Sequence, residues 1–205
     1  MKLLKKICSH NVRNLAALLN EGNEIKVNLG CGHNIQHGYI NIDVRNQPGV
    51  DLVADIAWCF KHIKAQCHEV YLSHVLEHFG QPGKAMRDEP GTVLWVLQGV
   101  SSMLISGGMI RVAVPDFRAL ARVYTEQDFP FYPRIVGRLC GEQHYSENLH
   151  KCLFDRDFLT MCLQHCGFEN IKSWEPELLG LKRDGSFDNL GGISTSLNLI
   201  AQKTS

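Results

Sequence analysis

The fold is decided by the stretch IKVNLGCGHNIQHGYINID at residues 25–43. Residues 25–29 predict a buried strand, because they are mostly apolar and lead straight into the glycine turn Gly30-Cys31-Gly32. Residues 39–44 predict a second strand, which carries Asp43 near its end. The connection from Gly30 to Gly38 is shorter than the roughly 10–12 residues of a helical crossover. We therefore expect two neighbouring strands with a tight turn between them.

Strands and helices alternate along the rest of the chain. Further strands are predicted at residues 50–54, 69–73, 110–114, 168–174 and 196–201. Apolar stripes predict helices at residues 12–19, at 93–104 with Gly107-Gly108 closing the helix, after the cap Asp116, and at 158–166. The pattern favours an α/β protein with a mostly parallel seven-stranded sheet, helices on both faces and an antiparallel last strand. The last two strands should pair at one edge.

Composition limits the function classes. The 205 residues fit one domain, and 44% of them are hydrophobic, which is ordinary for a globular protein. Lys+Arg and Asp+Glu both number 21, so no broad attraction to nucleic acid is expected. We interpret residues 1–24 as a leader and first helix without a signal peptide, and no run is long enough to span a membrane.

The cysteines predict a reducing environment. All eight are scattered and form no Cys-x-x-Cys motif, so we expect small buried thiols rather than disulfides or a metal site. This usage predicts a cytoplasmic protein. Residues 126–153 interrupt the alternation and are rich in aromatic residues, Arg and His. We interpret them as a substrate lid inserted over the ligand crevice.

The residues that follow the predicted strands describe an adenosine site. Open α/β sheets bind ligands beyond the carboxyl ends of their strands. Gly30-Cys31-Gly32 would let a ligand approach the backbone, Asp43 would accept from ribose hydroxyls, and Asp55 would accept from an adenine amino group. Ser73-His74 ends the fourth strand. In this order the residues predict a nucleoside ligand.

The dinucleotide NAD fits this pattern poorly. Its G-x-G-x-x-G fingerprint lacks the third glycine here, because position 35 is Ile. Asp43 also follows the turn sooner than the acidic residue about 20 positions on that NAD sites use. The short turn offers no full helix whose N-terminus would bind a pyrophosphate. S-adenosylmethionine (SAM) also carries adenosine but has no phosphate, so the turn favours SAM.

Short motifs spread over roughly residues 25–203 carry a family resemblance. They are Val27-Asn28-Leu29-Gly30-Cys31-Gly32, Ile42-Asp43-Val44, Asp51-Leu52-Val53-Ala54-Asp55, Ser73-His74-Val75-Leu76-Glu77-His78-Phe79, Gly107-Gly108, Val114-Pro115-Asp116-Phe117, His150, Phe154-Asp155 and Gly167-Phe168. With these motifs the chain resembles class I SAM-dependent methyltransferases, and within them a bacterial subgroup associated with polysaccharide and glycosyl-transfer functions.

The resemblance implies a Rossmann-like methyltransferase fold with SAM as cofactor. Gly30, Cys31 and Gly32 would lie under the methionine portion, and Ser73 and His74 would border it. The acceptor would be an oxygen or nitrogen of a small molecule, with a sugar or glycan precursor as the class that the subgroup suggests. Two departures stand out. Asn28 replaces an acid near the SAM amino group, and Asn34 replaces a third glycine. In addition, residues 104–108 lack the usual Lys-Pro before the double glycine.

The lid suggests catalytic residues. Arg134 and Arg138 would bind an anionic group, while His144, Tyr145 or His150 would act as general base. We single out His144 and His150, because a sugar hydroxyl must lose its proton. The alternative is a lid whose polar side chains are merely solvated. The three tryptophans, Trp58, Trp95 and Trp174, are expected in the core.

Two other functions are weighed against methyl transfer. One is a SAM-binding interaction module without activity. The other is a zinc peptidase, because His74-Val75-Leu76-Glu77-His78 matches H-x-x-E-H. Zinc would require both histidines on one helical face, whereas His74 ends a strand and Gly80 and Pro82 stop any helix early. We therefore predict no metal site.

Overall fold

The computed structural model describes residues 15–19, 24–80, 84, 86–127, 129–144 and 146–204. Nine strands lie in this part of the chain: β1 (Lys26–Leu29), β2 (Ile40–Asp43), β3 (Leu52–Val53), β4 (Cys67–Ser73), β5 (Leu104–Pro115), β6 (Phe168–Ser173), β7 (Asn189–Leu190), β8 (Ile193–Ser194) and β9 (Ser196–Lys203). The α-helices are α1 (residues 15–19), α2 (Ile56–His62), α3 (Val93–Met103), α4 (Phe117–Glu126), α5 (Val136–Cys140) and α6 (Arg156–His165). The predicted helix at 12–19 and the leader lie partly outside the described residues, as do Pro82 and Tyr145.

Seven strands form one sheet in the order β3-β2-β1-β4-β5-β9-β6. The first five run parallel, and β9 runs antiparallel to both β5 and β6. The prediction of a mostly parallel sheet with an antiparallel last strand is therefore confirmed. The carboxyl ends of β1, β2, β3 and β4 lie at one rim, where parallel strands place ligand-binding residues.

The sheet is buried because its strands are apolar on both faces. In the central strands, Val27, Val70, Leu72, Ile110 and Val112 have no exposed surface. Such continuous apolar runs are typical of parallel strands covered on both faces by helices. The main core joins these strands to α3 and α6, which contribute Leu97, Val100, Leu159 and Leu163 among others. This rigid base fixes the positions of the loops at the rim.

Helices α2 and α3 pack so closely that one glycine is required between them. A Cβ atom on Gly99 would lie 2.2 Å from Cδ2 of Phe60, so the ring rests directly on the α3 backbone. Phe60 is itself almost fully buried in α2. The ring cannot withdraw without opening a void in the core.

We expect Gly99→Ala to lower the free energy of unfolding by about 1–3 kcal/mol, because overpacking exceeds the gain in helix propensity. Urea unfolding would measure this. Gly137→Ala is the matched control, because Gly137 also lies in a helix and its added Cβ would meet nothing within 4 Å. That variant should be unchanged, or more stable by about 0.5–1 kcal/mol. Equal effects for the two variants would contradict the packing argument.

The structure corrects the prediction around the double glycine. Gly107-Gly108 was expected to close a helix before a strand at 110–114, but α3 ends at Met103 and β5 begins at Leu104. Leu104 pairs with Cys67, and the register shifts before the next pair, Glu69 and Met109. Gly107 adopts a positive φ of 73° at this irregularity. The glycines therefore allow a bulge inside the strand, which the local sequence does not distinguish from a turn.

Helix α2 was not predicted, because its capping residue was assigned another role and because the helix is short. Asp55, assigned only to ligand binding, caps α2 by accepting a hydrogen bond from the backbone N–H of Trp58. The helix is seven residues long. So short a segment gives too few apolar repeats to stand out.

The cysteines that the structure describes are all free thiols. Cys31, Cys59, Cys67, Cys162 and Cys166 are buried, as predicted for small hydrophobic side chains. Burial raises the pKa of the Cys59 thiol to about 12. Within the described part of the chain, no helix combines the length and the apolar character that crossing a bilayer requires.

Candidate functional site

A cavity of about 670 Å³ opens at the rim of the sheet, beside the glycine turn. We call it the glycine-turn cavity. Its volume lies in the range typical of small-ligand sites. All seven residues predicted to bind the cofactor line it: Gly30, Cys31, Gly32, Asp43, Asp55, Ser73 and His74. The structure thus brings these residues together, although they come from four separate strand ends. Trp95, expected in the core, lines the same cavity.

The glycine turn is held tightly against the strand that follows it. Gly30 and Cys31 both donate their backbone N–H to the carbonyl of Ile42, at 2.8 and 3.0 Å. Gly30 has a φ of +75°, and a Cβ atom there would lie 2.7 Å from Cγ2 of Val75. Only glycine meets both the conformational and the steric requirement. The turn therefore presents bare backbone to the cavity.

Asp43 fixes this turn from the end of β2. One carboxylate oxygen accepts a hydrogen bond from the Gly32 N–H at 2.8 Å, and the other accepts from the Arg45 N–H at 2.8 Å. The Arg45 guanidinium lies 3.2 Å from that second oxygen. Asp43 is only 6% exposed, so these contacts hold its carboxylate at the cavity wall. It both shapes the turn and borders the space above it.

Asp55 lies across the cavity and is more accessible. Its side chain is exposed, and one oxygen accepts the capping bond from Trp58 at 2.7 Å. The cap fixes the carboxylate beside the cavity, after β3. Two acidic groups therefore border a single cavity, which the glycine turn also lines.

Asn28 does not line this cavity. Its amide is buried and donates to the Asn34 carbonyl and to the Asn41 side chain, both at 2.9 Å. Asn28 therefore ties the loop after the glycine turn back to β1 and β2. In this chain the departure from an acidic residue has a structural role.

A second cavity of about 680 Å³ is lined in part by residues of the predicted lid, and we call it the lid cavity. Its lining includes His74, several described residues between Tyr132 and His150 of the predicted lid, and residues of the loop that carries Gly185. Both candidate catalytic residues, His144 and His150, border it. The side chain of His144 is 74% exposed and lies 3.4 Å from Glu142, whereas that of His150 is only 9% exposed.

The two lid arginines differ in their availability. Arg138 forms a bidentate ion pair with the Asp188 carboxylate. The Thr195 hydroxyl also donates a hydrogen bond to this carboxylate, at 2.7 Å. Burial raises the pKa of Asp188, but the hydrogen bonds from Arg138 outweigh burial and hold this pKa below its usual value. Arg138 is therefore engaged within the protein. Among the described residues, Arg134 has no carboxylate within ion-pair distance, and it lines the cavity.

The loop at residues 182–188 joins the two cavities and was missed in the sequence. Gln36 anchors it by donating to the Lys182 carbonyl and accepting from the Lys182 N–H, both at 2.8 Å. Gly185 in this loop lines both cavities, and a Cβ there would lie 2.4 Å from the His74 ring. Its sequence, with Gly185 as its one glycine, gives no signal of this position, and the loop lies far from the glycine turn along the chain.

Between the cavities lies a cluster of His74, Glu77, His78 and His150, in which Glu77 is buried and the three histidines are partly buried. Nδ1 of His74 lies 3.3 Å from the Glu77 carboxylate, and Nε2 of His150 lies 4.0 Å from it. Burial raises the pKa of Glu77 to about 8 and lowers the pKa values of His74 and His150 to about 4. His74 has a positive φ of 53° and stands outside the 3₁₀ turn Leu76–His78. The helical arrangement of a zinc peptidase is therefore absent from these residues.

The comparisons with known proteins give the fold. No protein-family model matches the chain, and no curated protein matches it by sequence. A SAM-dependent methyltransferase from Archaeoglobus fulgidus matches at a TM-score of 0.50 and 15% identity, over 97% of this chain and 94% of the other. The 1,6-didemethyltoxoflavin-N1-methyltransferase of Burkholderia thailandensis, solved with S-adenosylhomocysteine, matches at 0.50 and 14% identity, over 95% and 79%.

Human N-acetylserotonin methyltransferase, solved with SAM, also matches at a TM-score of 0.50, with 13% identity. The match covers all of this chain and 55% of the human protein. The chain therefore has the Rossmann-like methyltransferase fold, as predicted. At these identities the likeness extends to the fold alone, and the bacterial subgroup stays a prediction.

Proposed function

We propose that this protein is a methyltransferase that binds SAM in the glycine-turn cavity and methylates an oxygen or nitrogen of a small molecule. The observation that carries the proposal is the convergence of seven predicted residues on one cavity. The sequence indicates these residues through their order after the predicted strands alone. The fold supports the same conclusion, since similar structures hold SAM or S-adenosylhomocysteine.

The lining of the cavity suits SAM. Gly30 leaves the backbone bare where a side chain would collide with Val75, so a ligand can approach the turn closely. Asp43 and Asp55 supply acceptors for ribose hydroxyls and an adenine amino group. Apolar groups such as Ala54, Ile56 and Phe79 complete the lining. These are the features of an adenosine pocket.

The protein's task would be to align the reactants. When bound, SAM supplies an activated methyl group on a sulfonium. Ser73 and His74 stand where the glycine-turn cavity approaches the lid cavity, and His74 lines both. Holding an acceptor atom in line with the methyl group and excluding water would account for most of the rate enhancement.

The lid cavity is our proposed acceptor site. Its lining includes several polar side chains, among them Arg134, His144 and Asn148. Such side chains favour a small acceptor that forms several hydrogen bonds, and we propose a sugar or glycan precursor. His144 is the candidate general base, because its ring is exposed beside the cavity.

We also propose a cytoplasmic location. The free thiols of the described residues are consistent with it, because disulfides are rare in reducing compartments.

We expect the purified protein to bind S-adenosylhomocysteine with a dissociation constant in the micromolar range, or about −7 to −8 kcal/mol. Titration calorimetry would measure it. NAD⁺ at the same concentrations is the control and should release no heat of binding. A folded protein that shows no binding at millimolar ligand would contradict the proposed cofactor.

Methyl transfer needs a separate assay. Incubation with methyl-labelled SAM and a panel of sugars, nucleotide sugars and amines should label one chemical class above the others. Cofactor binding without transfer to any acceptor in the panel would favour the alternative of an inactive SAM-binding module.

A further inference from the structure

We propose that Glu77, His78 and His150 form a binding site for one divalent first-row transition-metal ion in the wall between the two cavities. One ligand atom from each of the three residues lies within 4.8 Å of the others. A carboxylate and two imidazoles are the donor set of many zinc, iron and manganese sites. Sequence analysis predicted no metal, because it considered His74 rather than His150 as the partner of His78.

The Glu77 carboxylate is the strongest indication of a missing ligand. Its side chain is 1% exposed, and neither of its oxygens has a hydrogen-bond partner. Leaving a buried carboxylate without partners costs several kcal/mol, so folded proteins normally pair such a group. Its Oε1 faces the imidazole nitrogens of His74 and His150, at 3.3 and 4.0 Å. A cation bound between Glu77 and His150 would satisfy the carboxylate.

The orientation of His150 supports the same site. Its Nδ1 lies 2.9 Å from the Arg138 carbonyl, which fixes the proton on Nδ1 and leaves a lone pair on Nε2. Nε2 is the nitrogen that faces Glu77, at 4.0 Å. Metal-binding histidines commonly donate their other ring nitrogen to a backbone carbonyl in this way. The ring of His78 lies beside that of His150, with 5.0 Å between the ring centroids.

The backbone holds these residues in place. The Glu77 carbonyl accepts hydrogen bonds from the N–H groups of Lys151 and Cys152, at 2.7 and 3.2 Å. The segment that carries His150 is thereby fastened to the turn that carries Glu77 and His78. Metal bonds of about 2.1 Å would require the ligand atoms to approach by roughly 1.5 Å. Side-chain rotation can supply a movement of that size.

The position suggests a use for the ion. His78 lines the glycine-turn cavity and His150 lines the lid cavity, so the ion would lie where the two meet. A bound cation can take an acceptor hydroxyl as an additional ligand and lower its pKa. This role rests on the proposed function, whereas metal binding itself does not.

The test is metal binding by protein that has been stripped with a chelator. We expect one equivalent of Zn²⁺ or Mn²⁺ to bind by calorimetry and elemental analysis, with little binding of Mg²⁺. Glu77→Gln and His150→Ala should each lower the affinity at least 100-fold. The control is His165→Ala, which removes an exposed histidine at the end of α6 and should change nothing. The proposal would be overturned if the stripped wild-type protein bound no metal ion, or if the two variants bound metal with unchanged affinity.

Two further measurements exclude trivial explanations. Glu77→Gln should unfold at the same or a higher temperature than the wild type, because a neutral amide of the same shape replaces a buried acidic group that has no hydrogen-bond partner. Its loss of metal would therefore not reflect misfolding. Cobalt(II) bound at the site should show no thiolate charge-transfer band, whereas such a band would place the ion on a cysteine and reject the site. S-adenosylhomocysteine binding by the same samples tests the proposed function separately, since metal binding without it would leave the site standing.

Discussion

Replacing Asp43 with alanine should weaken S-adenosylhomocysteine binding about 100-fold or more. The substitution removes the carboxylate proposed to accept from the ribose and also leaves the Gly32 and Arg45 N–H groups without their acceptor. A hydrogen bond to a charged group contributes about 1.5–3 kcal/mol. The loss of the two hydrogen bonds proposed from the ribose hydroxyls therefore accounts for the expected change in affinity. Calorimetric titration of the folded variant would measure it. Binding equal to that of the wild type would refute the ribose assignment.

The matched control for this variant is Asp116→Ala. Asp116 also follows a strand and accepts from two backbone N–H groups, those of Arg118 and Ala119. It caps α4 and is not among the residues that line either cavity. We expect a stability loss of about 1 kcal/mol and an unchanged affinity for S-adenosylhomocysteine. Equal losses of affinity in both variants would indicate a general effect on the fold.

The second large effect is expected for Gly30→Ala. An alanine there must adopt a φ of +75° and place its Cβ 2.7 Å from Val75. The left-handed conformation costs about 1–2 kcal/mol and the collision about as much again, so the free energy of unfolding should fall by roughly 2–4 kcal/mol. Cofactor binding should be lost as well, because the methyl group displaces the turn. Urea unfolding and calorimetry would measure the two effects.

Gly38→Ala separates the two contributions. Gly38 has a φ of +77°, but an added Cβ would meet no atom within 4 Å. This variant should therefore lose only about 1–2 kcal/mol and should keep its affinity for S-adenosylhomocysteine. If both glycine variants lost the same stability, the contact with Val75 would not matter.

The cofactor side of the site could be predicted because it depends on topology. Parallel strands place their carboxyl ends at one rim, so Asp43 and Asp55 meet there once β2 and β3 are recognised. This prediction needs only the positions of the strands along the chain, and hydrophobic patterning indicates them. The role of Asn28 could not be found in this way, because it depends on two hydrogen bonds to residues in other segments.

The cluster around Glu77 could not be predicted, for a related reason. Glu77 and His78 were visible as part of a motif, but the motif suggested His74 as the partner. His150 reaches the cluster only because the Lys151 and Cys152 N–H groups bind the Glu77 carbonyl. Contacts of this kind between irregular segments leave no periodic signal. The bulge at Gly107 could not be predicted for the same reason, because it arises from the pairing of β5 with β4.

The place of β9 in the sheet has a consequence for synthesis on the ribosome. β5 and β6 both emerge before β9, yet each has β9 as its neighbour on one side, and β6 pairs with no other strand in the part of the chain that the structure describes. Until β9 is translated, the edge of β5 stays unpaired and open to association with other nascent chains. Pairing across so long a separation is also slow. Chaperone dependence during translation is therefore to be expected.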